Sequence, residues 1–218
     1  MLKTDLFEYE YFPALHPGSE EKVLLVFHGL GDSLNGFTWM PPQLGITNLS
    51  YLLVNAPDEY YGGYSWFDFT GGGANMGPAI AGIHRSRKLI RNLIGEMVDQ
   101  GIKPSNILLF GFSQGCLMAL DAGLRSDLVL GGICGVSGWL AFQDEYPTAF
   151  SPVAKQQKFL ITHGTRDPVL AYPTSKAQSE FLVAQGIDLK FLTYTKEHTI
   201  LPEELKVIRD WLVERAGT

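Results

Sequence analysis

Six short runs of this chain are rich in Val, Ile, Leu and Phe, and most are apolar at nearly every position: "KVLLVFH" (22–28), "YLLVN" (51–55), "NILLFG" (106–111), "LGGICGV" (130–136), "FLITH" (159–163) and "LKFLTY" (189–194). A strand with one face in water alternates apolar and polar residues, whereas a strand covered on both faces need not. Only "FEYEYF" (7–12) alternates, which suits an exposed edge strand. Helical patterns lie between the runs. From Pro78 to Gln100, Ile80, Ile83, Ile90, Ile94 and Met97 share one stripe. Gln114–Leu124 is short and apolar, and Tyr172–Gln185 stops at Gly186. The last helix opens at Pro202, with Glu203 and Glu204 suited to its positive end, and Leu205, Ile208, Trp211 and Leu212 form its inner face. Strands alternating with helices predict an α/β fold: a mostly parallel central sheet with helices on both faces.

These elements use almost all of the 218 residues, so a single domain over 1–218 is expected, with no separate cap domain. The site of such a chain is then open and covered only by loops. Residues 56–75, rich in Gly and Tyr, form the longest irregular stretch, and a loop of that length is usually functional. A net charge of −6 argues against nucleic acid as a partner. No run reaches the length of a membrane span and the N-terminus lacks a signal-peptide pattern, so no stable membrane insertion is expected. Cys116 and Cys134 both lie in apolar surroundings and read as buried thiols of a cytoplasmic protein.

The chemistry concentrates at "LLFGFSQGCLM" (108–118), where an apolar strand ends, Ser113 stands between Gly111 and Gly115, and a helix begins. In a strand–turn–helix this sharp, the serine takes a strained backbone and projects its hydroxyl above the sheet, and side chains at either glycine would strike neighbouring backbone. The helix start also aims a free N–H, that of Gln114, at any anion forming beside Ser113. A serine hydroxyl needs a base, and the base needs a carboxylate to orient it. "ITHGTRDPVL" places Asp167 just past a strand, and "TYTKEHTILPEE" places His198 in the loop before the last helix. Both are C-terminal strand ends, where an open α/β sheet gathers its site. "LVFHGLGDS" supplies a second oxyanion donor in the N–H of Leu30, flanked by Gly29 and Gly31.

Trp66, Phe67 and Trp139 are candidates to line an acyl pocket. No metal-ligand spacing and no cofactor motif are present; Gly71-Gly72-Gly73 lacks the strand and the Lys-Ser/Thr of a phosphate loop and reads as a rim beside the site. His28 and His163, each before a glycine at a strand end, read as packed or hydrogen-bonded groups around the site.

With "FHGLGDS", "GFSQG", "GVSGWL", "HGTRDPVL" and "EHTILPEEL" in this order, the chain resembles the carboxylesterase and acyl-protein thioesterase family of α/β-hydrolases from about Lys22 to Trp211. The resemblance implies an α/β-hydrolase fold and a Ser113–Asp167–His198 triad, with an oxyanion hole from the N–H groups of Leu30 and Gln114. It implies hydrolysis of carboxylic esters or thioesters without a cofactor, the substrate being a small molecule or an acylated protein. Cys116 stands where the family commonly has glycine or alanine, and Glu197 where it usually has glycine. "APDEYYGGYSWFDFTGGG" keeps a Trp66-Phe67-Asp68 like the family's own, but is shorter and richer in Tyr and Gly than the loop that shapes the thioesterases' acyl site. The expected function is therefore that of a small carboxylesterase. The alternatives are an acyl-protein thioesterase or lysophospholipase acting on long chains, a hydrolase of another linkage on the same triad, and a non-catalytic module that keeps the pocket.

Overall fold

A computed structural model of the chain describes residues 2–68, 77–145 and 148–217. All seven expected strands form, as β1 (Tyr9–Phe12), β2 (Val23–Phe27), β3 (Ser50–Val54), β6 (Ile107–Phe112), β7 (Gly132–Val136), β8 (Lys158–Gly164) and β9 (Asp188–Tyr194). They make one sheet in the order β1-β3-β2-β6-β7-β8-β9, in which every pairing is parallel except that of β1 with β3. The register sets Phe27 beside both Val54 and Gly111, so the ends of β2, β3 and β6 lie level.

The apolar runs of β2, β3, β6, β7 and β8 behave as doubly covered strands, whereas β9, at the sheet's other edge, is only partly buried. Val23, Leu25, Phe27, Ile107, Leu109, Ile133, Phe159 and Ile161 enter one buried cluster, while Leu24, Val26, Leu108, Phe110, Cys134 and Leu160 enter the other. This is the two-residue period of a pleated strand read from both sides. Helices α2 (Gly77–Asp99), α3 (Gln114–Arg125) and α4 (Tyr172–Ala184) serve the first face; α1 (Met40–Leu44) and α5 (Pro202–Ala216) serve the second. Ile83, Ile90, Ile94 and Met97 of α2 are buried as their stripe requires, but Ile80 is exposed. On α5, Ile208 and Leu212 are buried, with Leu205 and Trp211 partly so.

Two elements were not expected. "MPPQL" forms the single turn α1, because prolines at the first helical positions forfeit no hydrogen bond. The first half of the 56–75 stretch is a hairpin, β4 (Asp58–Tyr60) with β5 (Gly63–Ser65), turned by Tyr61 (φ 46°) and Gly62 (φ 88°). Positive φ at both central positions is the turn that matches strand twist. Residues 69–75 of that stretch, with Gly71-Gly72-Gly73, lie outside the described residues. No helix among those described is long and apolar enough to cross a membrane.

Candidate active site

Ser113 occupies the junction of β6 and α3 at φ 56°, ψ −116°, a conformation open to few side chains and costing about 1–3 kcal/mol. Its N–H donates to the Val136 carbonyl (3.0 Å) and its carbonyl accepts from the Leu117 N–H (3.2 Å), so the turn is held from both sides. The flanking glycines have the reason their pattern suggested. A Cβ on Gly111 would strike the Gly115 backbone, and one on Gly115 would strike the carbonyls of Phe27 and His28. The helix start is thus pressed against the end of β2, beside the second loop of the site.

That loop carries Leu30. A Cβ on Gly29 would lie 3.2 Å from that of Ser113, so the turn abuts the serine directly. Its next two N–H groups are engaged: Gly31 donates to the Tyr64 carbonyl (2.9 Å) and Asp32 to that of Gly29 (3.3 Å). Tyr64 returns a bond to the Asp32 carbonyl (2.8 Å), which clamps the β4–β5 hairpin against the turn. Leu30 lies between Gly29 and Gly31 in this turn, which abuts Ser113. Gln114, at the first position of α3, has an N–H with no preceding turn to accept it.

His198 Nε2 lies 2.9 Å from Ser113 Oγ, and His198 Nδ1 lies 2.7 Å from Asp167 Oδ2. The other carboxylate oxygen of Asp167 accepts the N–H groups of Val169 and Leu170, each at 2.9 Å. Burial alone would push the Asp167 carboxyl up. The Leu170 N–H, the His198 ring and the Val169 N–H together outweigh it and hold the pKa below the usual 3.8. An ionised Asp167 draws the ring proton to Nδ1, leaving the Nε2 lone pair toward Ser113. One face of the imidazole rests on Phe112, with centroids 4.9 Å apart.

The surrounding histidines are packed and bonded. His28 accepts the Ala56 N–H at Nε2 (3.0 Å), and its Nδ1 lies 2.6 Å from the Gly29 carbonyl. His163 lies beneath Asp167 and reaches the Leu170 carbonyl (2.9 Å), bracing the loop that presents the carboxylate. Burial lowers the pKa of both rings.

Two of the three aromatic candidates do not line a pocket. Trp66 is wholly enclosed, with its ring against Phe7, Phe27 and His28 and its indole N–H on the His28 carbonyl (2.9 Å). Phe67 is equally buried. Their segment is pinned by the side chain of Gln114, which accepts the Trp66 N–H (3.1 Å) and donates to the Phe67 carbonyl (3.0 Å). The Gln114 side chain is therefore structural. Trp139 alone lines open space, a recess of about 200 Å³ with Gly138, Val169, Leu170, Ala171, Thr174 and Ser175. A larger apolar hollow of about 360 Å³ between β1 and α1 touches none of these residues.

The loop bearing His198 holds a feature the sequence concealed. Glu197 faces solvent, but Lys196 turns inward and is buried. Its ammonium donates to both carboxylate oxygens of Glu204 (2.6 and 2.7 Å) and to the Thr199 carbonyl (2.6 Å). Glu204 in turn accepts the Leu201 N–H (3.0 Å). Both side chains are 0 % exposed, and the pair brackets His198 on either side in sequence. Among the described residues, no group of His, Cys, Asp or Glu is arranged to hold a metal ion.

Comparison with known proteins gives one consistent answer. The profile of the phospholipase/carboxylesterase family matches residues 16–214. Acyl-protein thioesterase 1 of Gibberella zeae is 33 % identical, with 92 % of each chain covered. Carboxylesterase SOBER1 of Arabidopsis thaliana is 29 % identical, covering 88 % of this chain and 90 % of that one. The crystal structure of Arabidopsis SOBER1 superposes with a TM-score of 0.80 at 28 % identity, over 90 % of this chain and 100 % of that one. That of esterase PE8, at 24 % identity, shares the fold with a TM-score of 0.86 over 95 % and 98 %.

Proposed function

The chain belongs to the phospholipase/carboxylesterase family and is a carboxylic ester hydrolase, and we propose that Ser113, His198 and Asp167 carry its chemistry through an acyl-enzyme. The observation that bears most weight is the unbroken relay Ser113 Oγ–His198 Nε2/Nδ1–Asp167 Oδ2, at 2.9 and 2.7 Å. Ser113 Oγ attacks the acyl carbon as its proton passes to Nε2. The carbonyl oxygen becomes an oxyanion held by the N–H groups of Leu30 and Gln114, and Asp167 stabilises the imidazolium. Collapse breaks the bond to the leaving oxygen or sulfur, which takes the proton from Nε2. Water then attacks the acyl-enzyme and gives its proton to Nε2, which returns it to Ser113 Oγ as the acid departs.

The recess beside Trp139 supports a short acyl group. Its roughly 200 Å³ fall below the about 300–1,000 Å³ typical of sites for drug-sized ligands. Small esters and thioesters, or short acyl groups borne on a protein, fit a recess of that size. The two free buried cysteines suit a reducing cytoplasm. The test is the Ser113→Ala variant with an aryl acetate and a fluorophosphonate probe. The wild-type chain turns over the ester and is labelled at Ser113, and the variant does neither while keeping its circular dichroism. Wild-type turnover in the alanine variant overturns the assignment, and a wild-type chain inert to ester and probe alike makes the pocket a binding module.

A further inference from the structure

A second recess is walled in part by the loop that carries His198. It measures about 340 Å³ and is lined by Trp39, Gln43, Ile200, Leu201, Pro202 and Leu205, with Gln43 its one polar side chain. Its place follows from the two faces of the sheet. Trp139, in the recess assigned to the acyl group, packs on the cluster shared by α2, α3 and α4. Trp39, Ile200 and Leu205 pack on the opposite cluster, with α1 and α5. Ser113 stands on the sheet edge between them.

His198 belongs to the second side. Its ring lies on Phe112, a member of the second cluster, and Phe112 continues through Phe37 (6.5 Å) to Trp39 (6.1 Å from Phe37). Ile200 and Leu201 follow His198 by two and three residues on the same loop. The loop that carries the imidazole therefore also supplies one wall of the recess, and both pack on the same side of the sheet.

The direction of the reaction selects the occupant. The leaving oxygen or sulfur must receive its proton from His198 Nε2, so it departs on the imidazole's side of Ser113. The acyl chain, on the far side of the carbonyl carbon, takes the opposite side. We propose that the Trp39–Ile200–Leu205 recess is the leaving-group subsite, and that it selects substrates whose alcohol or thiol carries an apolar chain. This assignment rests on the triad reading above and adds to it a preference set by the half of the substrate that leaves first.

The test uses two ester series on the purified chain: acetates of ethanol, butanol and hexanol, and ethyl esters of acids of two, four and six carbons. In the first series kcat/KM rises about twofold per methylene while the chain lies in an open apolar recess, below the nearly fourfold of full burial, so over four methylenes hexyl exceeds ethyl acetate by about sixteenfold. Trp39→Ala removes a wall and Leu205→Gln puts a polar end on the lining. Each brings the hexyl-to-ethyl ratio of the acetates toward one while the acyl-length ratio of the ethyl esters keeps its wild-type value. Hexyl and ethyl acetate turned over equally by the wild type overturn the subsite, whether or not the variants fold. So do variants that change the acyl ratio instead of the alcohol ratio. A chain that is labelled at Ser113 yet indifferent to alcohol length keeps the triad and loses only the subsite; a chain neither labelled nor active loses both.

Discussion

Removing the carboxylate of Glu204 strands a charge. In the wild type the Lys196 ammonium has three acceptors, two on Glu204 and one on Thr199, and no contact with water. Glu204→Ala leaves the Thr199 carbonyl alone, and an uncompensated buried charge of this kind costs about 3–5 kcal/mol. Set against a total stability of about 5–15 kcal/mol, that is a large fraction. At about 2–4 °C per kcal/mol for a chain of this size, the melting temperature falls by about 10 °C.

The lysine can limit the cost by losing its proton, and this gives the reasoning its sharper test. Burial already lowers the Lys196 pKa, with the hydrogen bonds and charge of Glu204 opposing it. Without Glu204 the folded-state pKa drops further below the unfolded value of about 10.4. The unfolded chain then binds more protons than the folded one, so stability rises with pH between the two values. Urea unfolding of Glu204→Ala therefore shows a deficit at pH 7 that narrows toward about pH 10. The double variant Lys196→Met/Glu204→Leu, which buries no charge, unfolds near the wild-type midpoint or above it. A Glu204→Ala midpoint within about 1 kcal/mol of wild type refutes the argument, as does a double variant no better than the single one.

The backbone of Ser113 predicts that two inactive variants differ in stability. Ser113→Gly sheds the strain of φ 56° that Ser113→Ala retains, and after the added entropy of glycine it unfolds about 1 kcal/mol later in urea. Equal midpoints would mean that the turn stores no strain. Asp167→Asn loses about 10⁴-fold in kcat, because the amide no longer draws the imidazole proton to Nδ1. The lowered pKa of Asp167 also gives its carboxylate a stabilising contribution that is full above the unfolded value of about 3.9 and lost as pH falls through the lower folded value. The stability difference between wild type and Asp167→Asn therefore shrinks under acid, and a difference constant down to about pH 2 contradicts that sign.

What could be read in advance was whatever local physics decides. A strand buried on both faces must be apolar throughout, so β2, β3, β6, β7 and β8 announce themselves, and the alternating β1 announces an edge. The Gly-x-Ser-x-Gly spacing is legible because both glycines answer steric demands within a few residues and at the neighbouring end of β2. "MPPQL" and "DEYYGGYS" were not legible, since a one-turn helix and a three-residue hairpin are too short for any period to establish.

Side-chain direction was the harder problem, and Trp66 and Lys196 show why. An aromatic residue in a loop beside a site has the same sequence signature whether its ring meets ligand or core. For Trp66 the outcome is set by the His28 carbonyl and by Gln114, 38 and 48 residues away. A lysine in a polar loop reads as solvated, and nothing local to "TKEHT" says that Glu204, beyond Pro202, will draw it inward. Both residues do their work through contacts that exist only after the chain has folded. Each also holds a segment beside the proposed site: Trp66 the end of β2, and Lys196 the loop that carries His198. A residue that positions another through burial leaves no pattern of its own, because its partner sets its role.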